Sequence, residues 1–495
     1  MPATVTLDGH SLTIADVVAV ARHGAPVAIA PRALEFVQAS RAAVDTALAR
    51  GDTIYGVNTG FGKLAHVRIA SDRLRELQVN LIRSHAAGVG EPLGTPAVRA
   101  MMLLRANVLL RGTSGVRPAV PGLIVDMLNR RVHPSVPALG SVGASGDLAP
   151  LSHLALAMIG EGEGGAALRG AGLAPVTLEA KEGLAFVNGT QAQSGIAALL
   201  VHDAWALWRA AHSAAAMSLE AVRGTPEAFD ARIHDARPHP FQGRSAALLR
   251  RLLADSEIRE SHRENDPRVQ DAYSLRCTPQ VLGAVGEAVA FAERLVATEV
   301  NAGTDNPLVI DGAILSGGNF HGQPIALGLD VLGIALATLA GLAERRIERV
   351  VNPDLSSGLP AFLSRDPGLQ SGFMTAQITA AALVADCRVL ATPASVQSVP
   401  TEGNQEDIVP MGMSAAWKAE RILANAARIV AIELLAGAQG LEFLKPLKPG
   451  RGVARTYAAV RDAVAPLDAD RPMSDEIERT ARLVLEGRFD PGEDA

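Results

Sequence analysis

The chain has 495 residues, of which 48% are hydrophobic and only 3% aromatic, and its formal net charge is −6. That length accommodates two or three average domains or one large fold of intertwined helices, with a core built from Ala, Leu and Val, whose small side chains suit closely packed helices. The weak negative charge and the lack of any long basic run exclude nucleic acid as an expected partner, and two cysteines, Cys277 and Cys387, are too few for a disulfide framework and suit a reducing compartment.

The N-terminal "MPATVTLDGH" has no basic region followed by an apolar stretch, so no signal peptide is expected and the protein is read as cytoplasmic. In "TVTLDGHSLTI" (4–14) apolar and polar residues alternate around Asp8 and Gly9, which predicts a small hairpin. Short apolar segments then alternate with the Gly-rich stretches "YGVNTGFGKL" (55–64) and "GEGEGGAALRGAG" (160–172), so residues 1–200 are read as a mixed domain of short helices and a few strands. Within it, "SVGASGDLAPLSHLAL" (141–156) looks like a turn leading into a helix, with Asp147 able to cap.

From about residue 195 the chain turns to long Ala/Leu segments, at 195–222, 279–300, 325–351, 374–393 and 414–440. Apolar residues recur there at three- and four-residue spacing and cover most of the circumference, which predicts a helix bundle or subunit interfaces over a second domain, 201–495. The apolar run "VLGIALATLAGLA" (331–343) is shorter than the roughly 18 residues of a membrane span and is read as a buried helix, with no membrane partner. Next to it, "AERRIERVV" (343–351) reads as a salt-bridged helix face, solvated or at an interface.

The connectors between these helices hold the least ordinary chemistry: residues 262–279, "NAGTDNPLV" (301–309), "SGGNFHGQP" (316–324) and "SVPTEGNQEDIVP" (398–410). "GASG" is not the GxSxG elbow of a serine hydrolase, because nothing separates Ser145 from Gly146. The 12 histidines form no HExxH, CxxC or other compact ligand cluster, and "GEGEGG" (160–165) has no buried strand just before it, so neither a metal nor a nucleotide is expected. Of the three tyrosines, Tyr55 and Tyr273 lie in polar or Gly-rich connectors. Proton transfer is as open to them as a structural role, provided the site lowers a phenol pKa of about 10.

Several segments in order, "YGVNTGFG", "NLIRSHAAGVGEPL" (80–93), "GSVGASGDLAPLSH" (140–153), "VNGTQ" (187–191), "VQDAYSLRCTPQVLG" (269–283), "TDNPL" (304–308), "GGNFHGQP" (317–324) and "NQED" (404–407), resemble the histidine and aromatic amino-acid ammonia-lyases and aminomutases. The resemblance implies a mainly α, fumarase/aspartase-like fold: a long central helix bundle with a smaller mixed N-terminal domain, assembled as a homotetramer whose sites draw on three subunits. It also implies that Ala144, Ser145 and Gly146 close autocatalytically into 4-methylidene-imidazol-5-one (MIO), with loss of two waters. The residue types suit that chemistry: Gly146 lets the backbone fold back, Ala144 adds little bulk and Ser145 supplies the hydroxyl that leaves. An electrophile made from the chain itself gives an elimination of ammonia the electron sink that ordinary side chains lack.

Carried over by position, Tyr55 is the expected base for the β-proton and Tyr273 a second active-site tyrosine, while Arg276 is the expected clamp for the substrate carboxylate. Asn188 and Gln270 match polar residues that orient substrate and prosthetic group, though Asn188 could instead cap a helix and Arg276 pair with Asp271. Phe320 matches a residue near the ring, with Asn319 beside it as a donor. The pair Ser84–His85 resembles histidine lyases, whereas tyrosine-specific relatives have His-Leu and phenylalanine-specific ones Phe-Leu. His85 would then hydrogen-bond an imidazole, and Glu406 would offer it a carboxylate that a phenyl ring could not satisfy. Four positions depart from the histidine-lyase pattern, Ile408, Pro410, Gly322 and Gln323. They leave open a lyase or aminomutase acting on tyrosine, phenylalanine or a substituted histidine, and, from another class, an inactive helical scaffold.

Overall fold

A computed structural model describes residues 2–492. The five Ala/Leu-rich segments fold as the helices Gln191–Ala221, Thr278–Glu299, Gln323–Val351, Met374–Leu390 and Gly412–Glu442. The chain does not divide once near residue 200. One compact unit combines residues up to His202 with Ala292–Asp330 and Pro393–Trp417, and the other takes Asp203–Phe291, Val331–Thr392 and Lys418 onward. The reason is that four of the long helices each carry residues of both units, so the connectors at their ends return to the N-terminal part of the chain.

In the first unit the hairpin expected around Asp8 and Gly9 does not form. The strand Val5–Leu7 pairs in parallel with Val27–Ile29, across the helix Ile14–His23. Asp8 Oδ1 accepts from the N–H groups of His10 and Ser11, at 2.7 and 2.9 Å, and Thr13 opens the helix with a capping box to Asp16, so the chain turns into a helix before a second strand can start. Gly9, at φ +85°, lies against Arg111, whose Cα would be 2.5 Å from any Cβ placed there. The stretch 160–172 likewise differs from a Gly-rich turn, because Gly162–Gly170 is helical. Every residue from Val98 to Leu110 of the helix Thr95–Leu110 is buried, Arg105 included. The Arg105 guanidinium donates to Asn188 O at 3.0 Å, to Gln191 Oε1 at 2.6 Å and to Ala185 O, and so ties down the turn that leads into the first long helix.

In the second unit Trp208 is fully buried and donates through Nε1 to Leu282 O at 2.7 Å. The 343–351 cluster is not a solvated face. Arg346 and Glu433 are both 0% exposed and paired at 2.5 and 2.9 Å, with Ser218 Oγ donating to the same carboxylate, while Glu344 is buried beside Arg345. Burying such a pair is costly unless further hydrogen bonds support it, and Ser218 supplies one to the Glu433 carboxylate. Gln323–Val351 extends well past the 331–343 run, and with Gly412–Glu442 it is long and apolar enough to cross a membrane by length and composition. Their most apolar windows are 61% and 89% buried within the fold, which accounts for that apolarity as core.

Candidate active site

Residues 140–147 connect the strand Pro137–Leu139 to the helix Leu148–Met158, and the backbone there is held from two sides. Gly146 stands at φ +78°, and a Cβ on it would lie 2.2 Å from Gly189 O, so both its conformation and its close approach demand glycine. Asp147 N donates to the same Gly189 O at 2.7 Å. The Asp147 carboxylate makes no cap to its own helix. It accepts instead from Ser141 Oγ at 3.0 Å and from Gln193 N and Nε2 at 2.9 and 3.2 Å, and complete burial pushes its pKa up to about 6. Gly143, Gly322 and Gly412 all approach the Gln193 amide, where a Cβ would collide or crowd, so glycine at 322 leaves the room that Gln193 occupies.

Ala144 is 3% exposed, whereas Ser145 opens into a cavity of about 490 Å³ shared with Tyr55, Phe320, His321, Glu402, Glu406 and Ile408. A narrower recess adjoins it, of about 50 Å³, where Tyr55, Ser145, Asn306, Phe320 and Glu402 meet His85 and Asn188. Glu406 Oε1 accepts from both Ser145 N, at 3.1 Å, and Ser145 Oγ, at 2.6 Å. Its other oxygen accepts from Thr401 Oγ1 at 2.5 Å, and the Thr401–Glu406 backbone bridge fixes the connector that presents it.

Tyr55 lies in a loop of tight turns and its hydroxyl accepts from Gly62 N at 3.1 Å. Burial raises the phenol pKa, the Gly62 N–H pulls it down, and the negative fields of Glu402 and Glu406 raise it again. The surroundings within this chain therefore oppose the lowering expected of a base, because burial first, and then two carboxylates, disfavour a group that must itself become an anion. His85 ends the helix Leu74–His85. Its Nδ1 faces Leu81 O at 2.9 Å and, since a carbonyl only accepts, carries the ring proton and leaves Nε2 as an acceptor. Burial holds the His85 pKa down and keeps the ring neutral. Ser84 donates to Leu81 O at 3.0 Å and lies 3.0 Å from His85 Nδ1; it lines neither of these cavities but borders a third, of about 540 Å³, together with Phe61, His85 and Glu402.

Asn188 does end a short helix, Glu182–Val187, but its side chain donates to Asn306 O at 3.0 Å. Asn319 is exposed and donates to Gly303 O at 3.3 Å, outside both cavities. Gln270, Tyr273 and Arg276 belong to the second unit and line neither cavity. Tyr273 is 70% exposed with the Arg276 guanidinium 4.5 Å above its ring, while Asp271 is taken by Arg268 and by Thr225 N. Asn306, His321 and Glu402 are among the lining residues that had no role in the sequence reading. Asn306 and His321 stand inside "TDNPL" and "GGNFHGQP", so the motifs pointed at them, whereas Glu402 had no signal beyond its polar connector. Of the departures, Ile408 lines the larger cavity and is 62% exposed, its carbonyl accepting from His321 Nε2 at 3.2 Å. Pro410 is buried against the Gly143 turn, and Gln323 donates to Ser395 O at 3.5 Å.

The sequence matches the family profile described as "Aromatic amino acid lyase" over residues 12–462. It is 52% identical to a histidine ammonia-lyase of Myxococcus xanthus over 98% of this chain and 97% of that protein. Among solved structures, a histidine ammonia-lyase from Trypanosoma cruzi is similar with a TM-score of 0.91 at 42% identity, over 98% of this chain and 94% of that one. A tyrosine aminomutase from Streptomyces globisporus is similar with a TM-score of 0.94 at 40% identity, over 98% of both chains.

Proposed function

The chain belongs to the aromatic amino acid lyase family, and from that premise we propose that this carbon–nitrogen lyase eliminates ammonia from L-histidine to give urocanate, using MIO formed from Ala144, Ser145 and Gly146. The observation that carries the reading is the meeting of Ser145 with Tyr55, His85 and Glu406 around adjoining cavities. The turn suits ring closure, being built of small residues with Gly146 pressed at positive φ where no side chain has room. Once formed, MIO supplies an electrophile that draws electrons from the bound amino acid. His85 offers its Nε2 lone pair to an imidazole N–H, and its neutrality, held by burial, preserves that lone pair. Tyr55 takes the β-proton. The Gly62 N–H favours the phenolate, and the positive α-ammonium group of an arriving substrate offsets the field of Glu402 and Glu406 that opposes it.

Arg276 binds the substrate carboxylate and Tyr273 and Gln270 complete the pocket as contributions from neighbouring copies in a homotetramer. The exposure of Tyr273 and Gln270, and that of Leu327, Ile334 and Val389 on long helices, supports that assembly. Light scattering on the purified protein is expected to return four chains per particle, and a monomer active at that concentration would sink the shared-site reading.

Incubation with L-histidine, L-tyrosine and L-phenylalanine separately, following ammonia and the ultraviolet absorbance of the conjugated acrylate, tests the substrate. Turnover of histidine alone is expected, with His85→Leu weakening it by about 10²-fold through the lost polar reading. Tyrosine as the better substrate, or a β-amino acid product, would instead favour an aminomutase or an aryl lyase, the reading that Ile408 on the cavity wall supports.

A further inference from the structure

Glu406 touches Ser145 in a way that reading an imidazole does not require. One oxygen, Oε1, accepts from the Ser145 amide at 3.1 Å and from the Ser145 hydroxyl at 2.6 Å, and Thr401 holds the other oxygen so that the carboxylate cannot turn away. Both Ser145 groups change their protonation when the turn matures. We infer that Glu406 is the proton carrier of ring closure before it serves the substrate, an inference that rests on the reading of residues 144–146 as the source of MIO.

The Gly146 nitrogen bonds to the Ala144 carbonyl carbon and gives its proton to the Ala144 oxygen, and that oxygen departs as the bond from the Ala144 carbon to the Ser145 nitrogen becomes double. The proton that the Ser145 nitrogen must lose passes to Glu406 Oε1, which already accepts it as a hydrogen bond. The Ser145 Cβ–Oγ bond then breaks as the Cα–H pair becomes the new double bond. Glu406 returns its proton to the departing Oγ, completing one water, while the Cα proton travels through solvent to the hydroxide from Ala144, completing the other. Glu406 ends as it began, a carboxylate. Maturation removes both hydrogen bonds that hold Oε1, so the same event that makes the electrophile frees that oxygen to face a substrate.

Maturation is followed by intact mass and by the new ultraviolet absorbance during cell-free synthesis, for wild type, Tyr55→Phe, Glu406→Gln and Glu406→Ala. Wild type and Tyr55→Phe are expected to fall by two waters, and a wild-type chain that keeps its encoded mass would defeat the prosthetic-group reading itself. The Gln variant can still accept both hydrogen bonds but cannot take a proton, so it is expected to mature about 100-fold or more slowly at an unchanged melting temperature. Added formate is expected to restore maturation to Glu406→Ala. Wild-type maturation of Glu406→Gln overturns the inference, and so does an Ala variant that stays at its encoded mass in formate, because a carboxylate needed only for shape is not replaced by a small diffusible acid.

Discussion

Ser145→Ala is expected to fold and to lose turnover by on the order of 10³-fold or more, since it removes the hydroxyl whose departure creates the electrophile. The structural cost is small. Relative to the unmatured turn, Glu406 Oε1 loses one of its two Ser145 donors and keeps the amide at 3.1 Å, a net change of about 1 kcal/mol, and the smaller side chain fits where Ser145 stood. The melting temperature should therefore stay close to wild type while the chain fails to lose two waters. Near-normal turnover, or a variant that still sheds both waters, would refute the assignment of residues 144–146.

Tyr55→Phe separates catalysis from maturation. The phenol ring packs as before and only the hydroxyl is lost, which leaves Gly62 N without its acceptor at a half-buried position. Turnover is expected to fall by about 10²–10⁴-fold, the range for removing a positioned acid–base group, with the two-water loss intact. A variant that keeps wild-type kcat would transfer the β-proton to another group, Glu402 being an unassigned carboxylate on the cavity wall. The raised pKa of Tyr55 has a consequence in the wild type too. If Tyr55 acts as phenolate, kcat/KM should rise with pH into the alkaline range, and Tyr55→Phe should lose that limb.

Local pattern carried much of this protein. Apolar spacing located all five long helices to within a few residues, since a helix buried around most of its circumference is legible without knowing its neighbours. Motif order pointed to the turn at 144–146 and to Tyr55, His85, Asn188, Phe320 and Glu406, which the fold gathers around adjoining cavities. Where the reading failed, local capping or a partner distant in sequence was responsible. The hairpin expected around Gly9 gives way to the Asp8 turn and the Thr13–Asp16 capping box, and the Gly9 N–H donates to Asn107, 98 residues away. The 343–351 cluster reads in sequence as a solvated or interface face because Glu433, which neutralises Arg346, belongs to another long helix 87 residues on.

Chemistry at the site divides in the same way. Residue types named the candidates: a serine hydroxyl that can leave, a glycine able to take the φ of +78° that the fold imposes beside Gly189 O, and a side chain with a lone pair for an imidazole N–H. The sequence could not show that Ser84 lies against His85, that Asn319 turns to Gly303, or that burial, with two carboxylates behind it, raises the Tyr55 phenol. Nor could it show that Glu406, 261 residues from Ser145, holds both of the groups that maturation must deprotonate or expel. Side-chain identity and helical periodicity are properties of single residues and their near neighbours. Proton affinity and hydrogen-bond partnership depend on which charges and dipoles come within a few ångströms, and that is decided only when the chain folds back on itself.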